Sequence, residues 1–304
     1  MRSRWIRFPL FALAAWVVAS VGLGWWVLPG LLLHPPLPIR TEFQREAVRK
    51  ELLAQGGALT RHEVMGGEGA RLELWRLRRG HPRGVVLYLH GFGDDVWGTL
   101  GQARALPEWD AAGFTFRGRD RDPGRPCTLG GWERADAVAA VHHLMAEGFS
   151  PNRFLIAGWS MGAGVALLAL EDLEREGVHL GGALLECPFQ NLRRAAQDHL
   201  RGTLGAFEPV ARLAERVAIR AAGRQAHVDP AQVDPARSAD RLQVRIALIT
   251  GSADGDTPVD GVRRVARAHP DLTVVEGAGH CEASRQLPGG WGGWARARIE
   301  AWTL

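Results

Sequence analysis

The pentapeptide Gly158-Trp159-Ser160-Met161-Gly162 restricts this chain more than any other stretch. It lies between residues 154–157, an apolar run that reads as a buried strand, and residues 163–176, which read as a helix. A strand that turns into a helix over so few residues needs a very tight bend, and only small flanking residues such as Gly158 and Gly162 avoid a clash there. The bend pushes Ser160 out above the sheet edge. The helix that follows points its N-terminus, with the Met161 amide, at the space before the hydroxyl.

The same alternation of strand and helix runs through most of the chain. Residues 59–65 and 72–77 read as two short strands around the turn Gly66-Gly67-Glu68-Gly69, a hairpin signature. Residues 85–89 are continuously apolar, as in a parallel strand covered on both faces, and run into His90-Gly91-Phe92-Gly93. A helix is expected over 97–112 despite Pro107, then a short strand at 114–116 and a solvated loop of alternating charge at 117–125. Residues 132–147 form a predicted helix on which His142 and His143 are read as surface or packing residues. Further strands are expected at 183–185, 246–250 and 272–275, with a closing helix at 291–302. Between 190 and 243 the alternation pauses for two helical stretches, 192–201 and 207–222, where a substrate-covering insertion would sit.

Composition sets the outer limits. With 304 residues, 46% hydrophobic and 23% charged, the chain suits one globular domain with an added segment. Its 37 Lys+Arg are nearly balanced by 33 Asp+Glu and no basic run occurs, so no nucleic-acid partner is expected. The excess of Arg over the lone Lys50 is the codon bias of a GC-rich genome. The added segment is N-terminal: Arg2, Arg4 and Arg7 precede the uncharged residues 8–33, long enough at ~1.5 Å per residue to cross a ~30 Å hydrocarbon core. We read an uncleaved anchor, single-pass in the cell membrane with the N-terminus inside and the remainder extracytoplasmic; a signal peptide cleaved near Ala19 is the alternative. The expected organisation is an anchor (1–33), a juxtamembrane helix (34–57) and a domain (58–304) with a small cap (190–243). Cys127, Cys187 and Cys281 cannot all pair within one chain and lack metal spacing, so they are read as free thiols, Cys281 as a buried small residue. No cofactor and no metal is expected, and the sequence leaves the oligomeric state open.

Three polar residues, Ser160, Asp254 and His280, each follow a separate predicted strand at its C-terminal end, the edge at which open α/β sheets assemble their sites. Serine is a poor nucleophile until an imidazole takes its proton, and the imidazole needs a carboxylate to fix its tautomer. Asp256 is an alternative acid, but Asp254 has the usual spacing to Pro258. Together with the pentapeptide, three further motifs carry a resemblance: His90-Gly91-Phe92-Gly93, Gly251-Ser252-Ala253-Asp254 and Gly277-Ala278-Gly279-His280. In this order they resemble the α/β-hydrolase superfamily over residues 58–304. The nearer likeness is to membrane-anchored bacterial members related to the serine aminopeptidase and monoacylglycerol lipase groups, from whose usual Arg-Gly-His-Gly loop Arg117-Gly118-Arg119-Asp120 departs.

The resemblance implies a mostly parallel, eight-stranded α/β sheet with helices on both faces. It implies Ser160 as nucleophile, His280 as base, Asp254 as orienting acid, and the Phe92 and Met161 amides as oxyanion donors. The expected activity is cleavage of an ester or thioester of a small or amphiphilic acyl substrate through an acyl-enzyme. Acyl transfer or peptide cleavage on the same fold, and a non-catalytic membrane-tethered domain, are the alternatives.

Overall fold

The computed structural model describes residues 2–35, 40–118 and 124–303. A long N-terminal helix comes first: α1 (Arg2–Gly22) passes through a π-helical stretch, Leu23–Val27, into α2 (Leu28–Leu33). Then follow α3 (Glu42–Leu53), the hairpin β1 (Ala58–Met65) and β2 (Arg71–Arg78), β3 (Val85–Leu89), α4 (Val96–Leu100) and β4 (Asp110–Phe114). The central part is α5 (Glu133–Ala146), β5 (Phe154–Trp159), α6 (Met161–Arg175) and β6 (Gly182–Glu186). Next come the cap helices α7 (Leu192–Leu204) and α8 (Glu208–Gln225) with the short α9 (Pro235–Ala239). The chain closes with β7 (Ile246–Gly251), α10 (Val259–Val265), β8 (Leu272–Val275), α11 (Ala283–Gln286) and α12 (Gly290–Ala301).

The strands form one eight-stranded sheet in the order β1-β2-β4-β3-β5-β6-β7-β8. Only the pairings β1–β2 and β2–β4 are antiparallel; the rest are parallel. Strands β3 to β7 are buried along their whole length, which is why their sequences are apolar without alternation. Each face is covered. Val141 and Leu144 of α5 and Val165 and Ala169 of α6 pack on one side. Leu52 of α3, Trp97 of α4, and Trp291 and Trp294 of α12 pack on the other. The helix read as juxtamembrane is therefore part of this second core, started by a capping box at Thr41 and Gln44 and fixed by fully buried Leu52.

Two expectations change. The predicted helix over 97–112 stops at Leu100, passes through a 3-10 turn and yields to β4, which begins at Asp110 and not at 114. Pro107 cannot continue a helix, and Asp110-Ala-Ala-Gly-Phe114 is drawn into the sheet by β2 and β3 on either side despite weak strand propensity. The loop from Arg117 is likewise not simply solvated. Arg117 is only 2% exposed, its Nε donates to Asp136 Oδ2 at 2.7 Å, and its Nη2 donates to the Gly67 carbonyl at 2.6 Å. Arg119 and Asp120 lie outside the described residues.

The N-terminal helix is long and apolar enough to cross a membrane over Phe11–Leu33, and Phe11, Val18 and Trp26 are largely exposed. One stripe of it packs along α8. Gly24 lies so close that an added Cβ would come within 2.5 Å of the Ala214 carbonyl. Trp16 Nε1 donates to the Val210 carbonyl at 3.2 Å, and Leu33 packs on Ala222 and Ala226.

The buried Arg117–Asp136 pair ties the hairpin turn to α5. Replacing Arg117 by Met leaves a buried carboxylate without its partner and is expected to lower unfolding stability by about 3–5 kcal/mol in urea melts. Replacing both members by apolar residues of similar volume is expected to recover most of that loss.

Candidate active site

Ser160 stands between β5 and α6 with φ 49° and ψ −115°, a conformation that non-glycine residues rarely take. The glycines around it are required by contact distance. A Cβ on Gly162 would lie 2.2 Å from the Leu89 carbonyl of β3, and one on Gly158 would lie 2.7 Å from the Gly162 carbonyl. The turn is closed further by the Ser160 amide, which donates to the Glu186 carbonyl at 2.9 Å.

The three predicted polar residues come together. Ser160 Oγ is 2.9 Å from His280 Nε2, and His280 Nδ1 is 3.0 and 2.9 Å from the two oxygens of Asp254. Asp254, 5% exposed, also accepts from the Asp256 amide at 3.0 Å, the Thr257 amide at 2.8 Å and the Thr257 hydroxyl at 2.8 Å. So many donors fix its plane toward the imidazole. Asp256 instead has an exposed side chain, 3.8 Å from His199. Burial works to lower the His280 pKa, but the hydrogen bond to Asp254 and then the contact with Cys187 work against it, and the imidazole lies above its ordinary 6.5. Burial also pushes the Cys187 thiol well above its ordinary value.

Three residues whose roles the sequence reading left blank support the arrangement. His90 Nε2 accepts from the Phe116 amide at 3.0 Å, which leaves its proton on Nδ1 to donate to the Gly91 carbonyl at 2.7 Å. With Gly91 C=O turned to His90, the planar peptide directs the Phe92 N–H the opposite way. Phe92 and Met161 both line the cavity in front of Ser160. Buried Glu186, at the end of β6, accepts from Trp159 Nε1 at 2.9 Å, from the Ser284 amide at 3.0 Å and from the Ser284 hydroxyl at 2.6 Å. It thereby joins the residue before Ser160 to α11, which follows His280. Thr257 is the third, clamping Asp254. The available signal for Glu186 was a charged residue closing the apolar run 183–185.

Cys281, read as a buried small residue, is half-buried and lines the cavity, with its Sγ 2.7 Å from that of Cys187. Among the described residues two groups have the composition and spacing to hold a metal: Cys187, His280 and Cys281, and a second comprising His62, His143 and Glu147. In the first, both imidazole nitrogens of His280 are engaged by Ser160 and Asp254.

The cavity measures about 660 Å³ and is largely apolar, the size of a site for a drug-sized or single-chain ligand. Phe189, Leu129 and, from α7, Leu192 form part of its wall. Leu31 and Leu32 of the N-terminal helix form another part.

A mostly parallel sheet carrying this constellation at its carboxyl edge is that of an α/β-hydrolase, and the chain is a serine hydrolase. Residues 80–250 match the family described as serine aminopeptidase, S33, and the chain belongs to that family. The lysophosphatidylserine lipase ABHD12 of Danio rerio is 30% identical over 123 residues, which cover 39% of this chain and 31% of that protein. The chain thus matches about a third of that relative's length. Among solved structures, an esterase of Pyrococcus furiosus superposes with a TM-score of 0.65 at 20% identity, covering 90% of this chain and 100% of its own. The Pyrobaculum calidifontis esterase gives 0.59 at 16%, covering 88% and 94%. A puromycin-hydrolyzing peptidase of Mycobacterium tuberculosis gives 0.54 at 20%, covering 75% of this chain and 37% of its own. At these identities the structures establish a shared fold.

The raised His280 pKa gives a pH prediction. A base at His280 must be neutral to take a proton, so if the imidazole has that role kcat/KM is expected to rise with pH through a single ionisation whose midpoint lies above 6.5. Asp254→Asn removes the carboxylate whose hydrogen bond does most to raise it, so the midpoint should fall and kcat should drop by about 10⁴-fold. Asp256→Asn should leave both nearly unchanged; pH–rate profiles of the two variants check this.

Proposed function

We propose that the protein cleaves carboxylic esters of an amphiphilic, single-chain acyl substrate, with Ser160 as nucleophile. The observation that carries this reading is the hydrogen-bonded line Asp254–His280–Ser160 opening onto an apolar cavity of about 660 Å³. In this reading His280 takes the Ser160 proton as Oγ attacks the ester carbonyl. The Phe92 and Met161 amides then receive the oxyanion, and His280 returns the proton to the departing alcohol. Water, deprotonated by the same imidazole, releases the acid. The lipase name of the Danio rerio relative and the esterase names of the structural neighbours agree with an ester substrate.

Ser160→Ala is expected to abolish both fluorophosphonate labelling and p-nitrophenyl ester hydrolysis while circular dichroism stays unchanged. Activity within about tenfold of the parent would rule out Ser160 as nucleophile.

We further propose that the N-terminal helix attaches the enzyme to a membrane and takes part in acyl binding. The segment organisation proposed here is an attaching helix, the α3 segment and the hydrolase domain with its α7–α8 cap. A single-pass span with the domain extracytoplasmic is one arrangement. The contact with α8 favours a second, in which the helix stays docked at the membrane interface, since Arg216, Arg220 and Arg224 on the exposed face of α8 disfavour hydrocarbon. An N-terminal tag that a protease reaches from the same side as the catalytic domain supports the docked arrangement; a tag protected on that side supports the span. Because Leu31 and Leu32 border the cavity, a chain beginning at Arg40 is expected to keep its kcat on acetate or butyrate esters. It should lose about tenfold or more in kcat/KM on esters of ten or more carbons, at roughly 0.8 kcal/mol for each buried methylene that loses its wall. Chain-length profiles of the two forms check this.

A further inference from the structure

A second cluster of ligand atoms lies where the β1–β2 hairpin meets the end of α5, and none of its residues lines the cavity at Ser160. His62 projects from β1, while His143 and Glu147 lie one helical turn apart on and just after α5. His62 Nδ1 is 3.3 Å from His143 Nε2 and 3.3 Å from Glu147 Oε1, and those two atoms are 3.6 Å from each other. A four-coordinate ion with bonds of ~2.0–2.1 Å holds its ligand atoms about 3.4 Å apart. The three atoms therefore form one face of such a tetrahedron, with the fourth corner left for water at a surface where the side chains are 25%, 29% and 24% exposed.

Hydrogen bonding around the cluster orients the lone pairs inward. Thr60 Oγ1 lies 2.9 Å from His62 Nε2 and 3.4 Å from the Arg76 carbonyl, so Nε2 has its partner outside the triangle and Nδ1 faces into it. With the His62 proton on Nε2, donated to Thr60, Nδ1 presents its lone pair to the triangle beside the Glu147 carboxylate oxygen, the state that suits a bound cation. Neutral His143 supplies at most one N–H to the triangle. Glu147 is oriented by the Arg76 guanidinium on its other oxygen, and the charge of Arg76 is offset by Asp110 at 2.9 Å. Three ligand atoms thus stand at ligand spacing, with His62 and Glu147 each held by a partner outside the triangle, as ligands of a metal are. We propose that His62, His143 and Glu147 bind one divalent transition metal of the zinc type, which clasps the sheet-edge strand β1 to α5.

The test uses the full chain in detergent, stripped with EDTA and titrated with CoCl₂ and then ZnCl₂. One cobalt per chain is expected, with the visible absorption of four-coordinate cobalt and no near-ultraviolet thiolate charge transfer. His62→Ala and Glu147→Gln should abolish that uptake, and His142→Ala, next to the site on an exposed position paired with Glu176, should leave it intact. Thr60→Val should weaken cobalt about tenfold by releasing the His62 tautomer. Zinc should raise the Tm of the parent and not that of His143→Ala. The proposal is overturned by no stoichiometric uptake, by uptake equal in His62→Ala, or by a spectrum carried by thiolate, which would place the ion at Cys187 and Cys281. Each readout is independent of ester hydrolysis and so of the function proposed for Ser160.

Discussion

The structure depends on a backbone turn that is held against its own preference. Ser160 at φ 49° sits in a conformation that costs of order 1–3 kcal/mol and persists only where the surroundings over-determine it. Here they do so from three sides. Strand β5 is paired with β3 on one edge and β6 on the other up to the last residues before the turn. The Ser160 amide is taken by the Glu186 carbonyl, and Gly162 lies against the Leu89 carbonyl with no room for a side chain. The hydroxyl is thereby fixed where the ends of β7 and β8 deliver Asp254 and His280.

The polar groups behind the site are a second condition of the same kind. A buried polar network stabilises when every member is satisfied and destabilises when one is not. Glu186 accepts from Trp159 and twice from Ser284, and so couples the strand carrying Ser160 to the helix after His280. His90 uses both ring nitrogens, one to accept from Phe116 and one to turn the Gly91 carbonyl. Thr257 spends its amide and hydroxyl on Asp254. The position of Ser160, the direction of the Phe92 amide and the plane of Asp254 are thus each set by a residue outside the line Asp254–His280–Ser160.

What was legible in the sequence follows from this division. Strand–glycine–serine–glycine–helix at 154–176 is a local signal, since steric limits on a tight turn act over a few residues. The apolar runs of β3, β5, β6 and β7 announce burial on both faces without reference to distant partners. By contrast, Asp110-Ala-Ala-Gly-Phe114 has no strand signal of its own and becomes β4 through its pairing with Leu74–Leu77 and Val85–Tyr88. Arg117 read as solvated because charge alternates around it, whereas its burial is created by Asp136, nineteen residues away. Glu186 and His90 were visible only as punctuation at strand ends. Their partners lie on other elements, and nothing in one sequence pairs them.

The N-terminal helix and the cap bear on where the domain sits. Helix α8 carries Ala214, Ala218, Ala221 and Ala222 on its buried side, which lets the apolar helix approach closely, and Arg216, Arg220 and Arg224 on its exposed side. Placed at the centre of a bilayer, each arginine costs about 3 kcal/mol, whereas at an anionic surface each contributes about 1 kcal/mol of attraction. Three such residues at a spacing of four outweigh the contact of one small-residue stripe, so α8 does not follow its partner helix into hydrocarbon. In the docked arrangement proposed above, the arginines would lie at headgroup level and limit the depth of the apolar helix. Arg224 marks that level, its guanidinium 5.2 Å above the Trp25 ring, a pairing suited to the boundary between apolar and wet layers. Leu31 and Leu32 follow less than two turns later and border the cavity, which in the proposed arrangement would set the cavity wall beside the interface.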